Sequence, residues 1–194
     1  DSGVERILFV DATVRKDSRT KSLARHLLSK LSGKVEHLVL AEEGIAPLDE
    51  EMLNKRTRRV EEGDYSSPYF RYAKQFAGAD RIVIAAPFWD LSFPALLKNY
   101  LESVCVTGIT FRYTEEGVPQ GMCRAKTLYY ITTAGGPICS PEYGFGYVRA
   151  LAQQMFGIPD VVLFKAEDLD IIGNDVEGII EGSKLEIDRY FRAH

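Results

Sequence analysis

Short apolar runs alternate along the chain with longer stretches whose apolar side chains recur every three or four positions. RILFVDA (6–12) is rich in Ile, Leu, Phe and Val and predicts a strand. SRTKSLARHLLSKL (18–31) places Leu23, Leu27, Leu28 and Leu31 at helical spacing, with Ser18 as the N-cap and SGK (32–34) as the stop. VEHLVLA (35–41) alternates and predicts a second strand, and the charged segment 49–79 reads as mostly helical with a break at GDYSSP (63–68). RIVIAA (81–86) is a third strand. A helix follows from Pro94, a favoured first helical position, with Leu97, Tyr100, Leu101 and Val104 as its buried stripe. ITFRYTEEGVPQGMC (109–123) alternates about EEG and predicts a small hairpin. KTLYYITTA (126–134) and DVVLFKAED (160–168) complete five strands, with helices at 147–158 and 175–193. Strands alternating with helices predict a parallel sheet covered on both faces. The expected fold is therefore α/β, a doubly wound five-stranded sheet in one domain spanning 1–194, since no repeat, low-complexity segment or linker divides it.

Composition narrows the setting. A chain of 194 residues, 45% hydrophobic, suits one compact domain, and a net charge of -4 with interspersed charges gives no general attraction for nucleic acid or anionic membrane. No apolar run approaches the roughly 20 residues that span a bilayer, and no signal-peptide pattern opens the chain, so a cytoplasmic protein is expected. Cys105, Cys123 and Cys139 are odd in number and widely spaced, which is no disulfide framework. His26, His37 and His194 are too scattered in sequence to read as a metal site.

Chemistry is expected where the strands end, because open α/β sheets bind ligands outside the carboxyl ends of their strands at the reversal of strand order. The loop after the first strand, ATVRKDSRTKS (12–22), has neither a dinucleotide fingerprint nor a P-loop. It carries hydroxyls at Thr13, Ser18, Thr20 and Ser22 with Arg15 and Arg19 among them, at the entry to a helix whose free N–H groups favour an anion. A terminal phosphate fits there; helix capping by Ser18 and Thr20 is the plainer alternative.

The loop after the third strand, PFWDLSFP (87–94), is unusually apolar for a loop and holds the only Trp of the chain. Its rings either stack on a planar ligand or plug a core or an oligomer contact. The loop after the fourth strand, TTAGGPIC (132–139), offers hydroxyls at Thr132 and Thr133 and the pair Gly135-Gly136, where main-chain amides can approach a ligand; an ordinary turn is the alternative. A phosphate site, an aromatic surface and backbone donors together suit FMN.

These residues also carry a family resemblance. The unbroken stretch from APFWDLSFP (86–94) through GITFRYTEEG (108–117) to ITTAGG (131–136) resembles the FMN-dependent NADH-azoreductases and NAD(P)H-quinone oxidoreductases. FGIPDVVLFKAEDLD (156–170) continues the likeness, and SRTKSLA (18–24) resembles that family's phosphate loop. The resemblance implies a flavodoxin-like fold and a homodimer with one FMN per subunit near the interface. It implies that Ser18, Arg19 and Thr20 hold the phosphate. Pro87, Phe88, Trp89, Asp90 and Leu91, with Thr133, Ala134, Gly135 and Gly136, would line the isoalloxazine and ribityl chain. Two positions depart from the family pattern: Asp90 stands where Asn is general, and Ala134 where a polar residue is frequent.

The expected reaction is a ping-pong transfer of two electrons from NADH or NADPH through bound FMN to a quinone or azo compound. No acid–base pair is obligatory; Asp90, Tyr143 or solvent could relay a proton, and PEYGFGY (141–147) is placed to form a pocket wall or a turn. A flavodoxin-type electron carrier, an NADPH-dependent flavin reductase and a flavin-free interaction module are the alternatives.

Overall fold

The computed structural model describes residues 3–194; Asp1 and Ser2, the first two residues of the expected domain, lie outside the described residues. Five parallel strands form one sheet in the order β2-β1-β3-β6-β7: β1 (Arg6–Asp11), β2 (Lys34–Val39), β3 (Arg81–Ala85), β6 (Thr127–Thr133) and β7 (Asp160–Ala166). A separate antiparallel ribbon joins β4 (Phe111–Tyr113) to β5 (Pro119–Gly121), with Phe111 opposite Gly121. The doubly wound sheet and the hairpin are thus as the apolar pattern predicts.

The strands read as continuous apolar runs because both faces are covered. Leu8, Val10, Ile82, Ile84, Leu128 and Tyr130 point to one face, where α4 (Arg71–Gly78), α5 (Ala95–Val104) and α6 (Phe145–Leu151) bring Phe76, Leu97, Tyr100, Leu101 and Val148. The intervening residues Ile7, Phe9, Val83, Tyr129 and Ile131 point to the other, under α1 (Arg19–Leu28) and α7 (Val176–Ala193), which contribute Leu23, Leu27 and Ile187. The buried stripe of α5 is Leu97, Tyr100, Leu101 and Val104, as its spacing predicts.

Differences from the predicted elements have local causes. Leu40 and Ala41 leave the sheet for a short helical turn, α2 (Leu40–Glu43), closed by Gly44 at φ 64°, while Leu40 itself stays buried. Pro94 is the N-cap of α5 and not its first residue. The helix predicted for 147–158 runs as α6 followed by a wider π turn over Ala152–Phe156, ended by Gly157 in the left-handed region. The segment 49–79 resolves into α3 (Glu50–Glu61), a 3-10 turn at Pro68–Phe70 and α4; α3 fully buries none of its residues, and only its Val60 packs on a small cluster of Phe70, Ala73 and Val106.

The ribbon docks by backbone contact. A Cβ at Gly121 would run into the main chain of Phe156 and Gly157, so nothing larger than hydrogen fits. Gly121→Ala is expected to destabilise the fold by about 1–3 kcal/mol, the range for overpacking, read as a lowered urea midpoint with unchanged slope.

Candidate functional site

Strand order reverses at β1: the chain goes to β2 on one side, then returns to β3 on the other. Neighbouring connections leave β1 and β3 in opposite directions, and a cleft of about 240 Å³ opens between them at the carboxyl edge of the sheet. A larger cleft, about 760 Å³, lies at the opposite edge. There the polar groups already satisfy one another: Arg81 bonds Glu5 and the Tyr129 hydroxyl, and Thr127 bonds Asp160. The carboxyl-edge cleft instead gathers groups with bonding capacity to spare.

On the first loop, Ser18 caps α1, its Oγ accepting from Lys21 N at 3.2 Å. Ser22 N bonds Ser18 O, so the main-chain N–H groups of Arg19 and Thr20 have no partner among the described residues. These two amides, at the positive end of a helix and flanked by the exposed Arg15 and Arg19, form a donor set for an anion. The Thr20 hydroxyl meets that of Thr133 at 2.6 Å and joins α1 to the end of β6. Thr13 is turned inward, where its N–H and hydroxyl donate to the Asp11 carboxylate. Ser18 therefore does cap the helix, and it lines the cleft while doing so.

The second loop supplies the wall. Phe88 N donates to Thr133 O at 3.0 Å, which fixes Pro87, Phe88 and Trp89 beside the third loop. Trp89 and Ser92 exchange two backbone hydrogen bonds, closing a two-residue turn. Its central residues, Asp90 (φ 50°) and Leu91 (φ 69°), both occupy the left-handed region, and neither is glycine. Ser92 Oγ donates to Tyr143 O at 2.7 Å and clamps the turn to the segment 141–143. Trp89 is 44% exposed and Leu91 55%. Phe93 takes the plainer role, packing into the core with its ring 5.9 Å from that of Tyr147.

In the third loop the carbonyls of Ala134, Gly135 and Gly136 accept from the N–H groups of Leu169, Asp170 and Asp168. The amides of Gly135 and Gly136 have no partner among the described residues. A Cβ at Gly135 would meet the Asp170 carboxylate, an exposed side chain that would have to swing aside.

Ser18, Arg19, Thr20, Pro87, Phe88, Trp89, Thr133, Ala134 and Gly135 all line the one cleft. Asp90, Leu91 and Gly136 border it without lining it, and the Tyr143 side chain, 57% exposed, is not part of its wall. Four lining residues are not among those the sequence singles out: Val14 and Asp17 on the first loop, and Leu169 and Asp170 from the connection after β7, with Asp170 in a 3.4 Å ion pair with Arg19. The strand-end rule applies to every connection on that edge, the one after β7 included, and so reaches Leu169 and Asp170 too.

Beneath the first loop the Asp11 carboxylate is fully buried. Burial alone would raise its pKa, but the hydrogen bonds from Thr13 and His37 and the nearby Lys21 charge outweigh it and hold the carboxyl below its ordinary value. A lowered folded-state pKa stabilises the fold above the unfolded value of about 4, and that contribution disappears as pH falls through the folded value. Urea titrations between about pH 6 and pH 2 should therefore show wild type losing stability more steeply than Asp11→Asn. A double-mutant cycle on Thr20→Val and Thr133→Val should give a coupling of about 0.5–1.5 kcal/mol, the net value of one hydroxyl–hydroxyl bond.

Parallel order 2-1-3 followed by the last two strands, with a cleft at the reversal, defines a flavodoxin-like protein. Residues 5–191 match the model of a flavodoxin-like fold family. The chain is 38% identical over 192 residues to FMN-dependent NADH:quinone oxidoreductase 2 of Clostridium acetobutylicum, covering 93% of this chain and 94% of that one. It is 34% identical to the FMN-dependent NADH:quinone oxidoreductase of Coprothermobacter proteolyticus, covering 95% and 96%. Among solved structures, an azoreductase from Bacillus anthracis superposes with a TM-score of 0.83 at 24% identity, over 98% of this chain and 100% of that one, a likeness of fold. The chain belongs to the flavodoxin-like family of FMN-dependent NADH:quinone oxidoreductases.

Proposed function

We propose that the chain works as one FMN-binding domain, passing two electrons from NADH or NADPH to a quinone or azo compound. The observation that carries this reading is convergence on one cleft. The unpartnered α1 amides, the half-exposed Phe88-Trp89 wall and the unpartnered Gly135-Gly136 amides suit, in turn, a phosphate, a planar ring and its polar rim.

In this reading Ser18, Arg19 and Thr20 hold the phosphate, with Arg15 adding charge. Phe88, Trp89, Asp90 and Leu91 bound the ring on one side, and Thr133, Ala134, Gly135 and Gly136 bound its polar edge and the ribityl chain. FMN, when bound, supplies the hydride chemistry. The protein's part would be to hold donor and acceptor beside Trp89 and Leu91; a place shared by both in turn would give ping-pong kinetics. No side chain in the cleft is committed as an acid or base. Asp90 is exposed at the turn and the Tyr143 phenol lies outside the wall, an arrangement that favours solvent over either as the proton source.

The exposed Trp89 and Leu91 at the rim are apolar surface that a second subunit would cover, which supports a homodimer with its site at the interface. Among the described residues no helix is long and apolar enough to cross a membrane, and the cysteines are unpaired, in keeping with work in the reduced cytoplasm.

An absorbance spectrum after loading with FMN and desalting tests the reading. Flavin bands that bleach in one two-electron step with NADH under anaerobic conditions, and return on adding a quinone, are the expected result. Retained flavin that NADH does not reduce would point to an electron carrier. Failure to retain flavin would leave an interaction module. Recovery only with free flavin as acceptor would identify a flavin reductase. Asp90→Asn is expected to raise the midpoint potential of the bound FMN, because it removes a negative charge beside a ring that gains charge on reduction. The shift should be no more than about 30 mV, since Asp90 is exposed and screened.

A further inference from the structure

The first loop, residues 12–18, contains no glycine, yet it must deliver the chain from β1 to the start of α1, where the Arg19 and Thr20 amides face the cleft that Arg15 and Arg19 also line. We propose that Asp11 is the positioning residue for this loop: through Thr13 and Lys21, its buried carboxylate fixes both ends of the segment that receives the phosphate. The proposal rests on the reading of the cleft as an FMN site.

Asp11 ends β1 after four buried apolar residues, Ile7 to Val10, and is itself inaccessible to solvent. A buried carboxylate survives there only with its oxygens satisfied. One oxygen, Oδ1, accepts from Thr13 N at 3.0 Å and from Thr13 Oγ1 at 2.5 Å, closing the turn by which the chain leaves the strand. The other, Oδ2, meets His37 Nε2 at 2.9 Å and Lys21 Nζ at 3.3 Å. Lys21 lies in the first turn of α1, so one carboxylate grips the loop where it begins and where it ends. His37 comes from the neighbouring β2 and stacks on Phe9 with ring centroids 4.6 Å apart, which braces the acceptor from the sheet side. A side chain thus does for this loop what glycine-rich backbone does in other phosphate loops.

Electrostatics alone predicts the reverse effect. A carboxylate beneath an anion site repels the anion, so its removal should strengthen phosphate binding if charge were its only influence. A positioning role makes its removal weaken binding, and only for ligands that carry the phosphate.

The test is a titration of flavin-free protein with FMN and with riboflavin, which lacks the phosphate, followed by quenching of flavin fluorescence. Asp11→Ala removes both grips and should weaken FMN binding by about tenfold or more, equivalent to about 1.4 kcal/mol. Riboflavin binding should stay within about threefold of wild type, below about 0.7 kcal/mol. Asp11→Asn keeps an oxygen for Thr13 but loses the grip on Lys21, and should bind FMN more weakly than wild type and more tightly than Asp11→Ala. If Asp11→Ala does not fold, Thr13→Val removes the hydroxyl bond and leaves the main-chain one; it should weaken FMN binding by about threefold, with riboflavin binding unchanged.

Equal losses for both flavins would overturn the proposal, as would FMN binding by Asp11→Ala as tight as wild type or tighter. An Asp11→Asn protein as weak as Asp11→Ala would overturn the route through Thr13. Wild-type protein that binds FMN no better than riboflavin would refute the phosphate site itself, and the proposal with it.

Discussion

The site depends on one constraint of parallel sheets: a strand that sends its chain to one side while its neighbour sends it to the other leaves a crevice that no connection covers. Here that strand is β1, with β2 on one side and β3 on the other. Backbone groups at the carboxyl edge have run out of ladder partners and must find others. Some do: Ala12 N reaches Ala85 O, Ala86 N reaches Ile131 O, and Phe88 N reaches Thr133 O. Each of these bonds extends the sheet by one step and draws the loops together. Among the described residues, the unpartnered N–H groups of Arg19, Thr20 and Gly135 belong to residues that line the same small volume.

Side chains finish what the backbone begins. The Thr20–Thr133 bond fastens the start of α1 to the end of β6, two elements more than a hundred residues apart in sequence. The Arg19–Asp170 pair spans a similar separation at the surface, where screening leaves it weak. The hydroxyl bond is part-buried and so does more to hold the floor of the cleft, whereas the ion pair can open to an incoming anion at little cost. A floor that is fixed and a rim that yields suit a site that must admit a charged ligand.

Much of this was legible in the sequence because burial on both faces leaves a coarse mark. A strand such as RIVIA can hardly be mistaken, and Leu97, Tyr100, Leu101 and Val104 repeat at the helical period because they face one sheet. The cleft was legible by position, as loops after strand ends. Asp11 was not. Nothing in RILFVDA shows that its last carboxylate will be buried, since that depends on His37 and Lys21 being brought back to it by later elements. Asp170 escaped for the same reason, its place being set by amides pairing with the carbonyls of residues 134–136. Phe93 and Phe88 look alike in the sequence. Only the turn between them sends one into the core and leaves the other beside the cleft.

That turn shows what the fold sacrifices for the site. Asp90 and Leu91 lie in the left-handed region without being glycine, at roughly 1–2 kcal/mol each. Leu91 and Trp89 also stand in water, where burial elsewhere would have favoured folding. Neither feature stabilises the isolated chain. Glycine at either central position would relax the backbone, and polar residues would solvate the rim. The clamp from Ser92 to the carbonyl of Tyr143, together with the paired bonds between Trp89 and Ser92, holds the turn against this tendency. Strain retained by surrounding bonds, beside exposed aromatic surface and at the end of the central strand, marks a segment shaped by what it meets rather than by what it packs on.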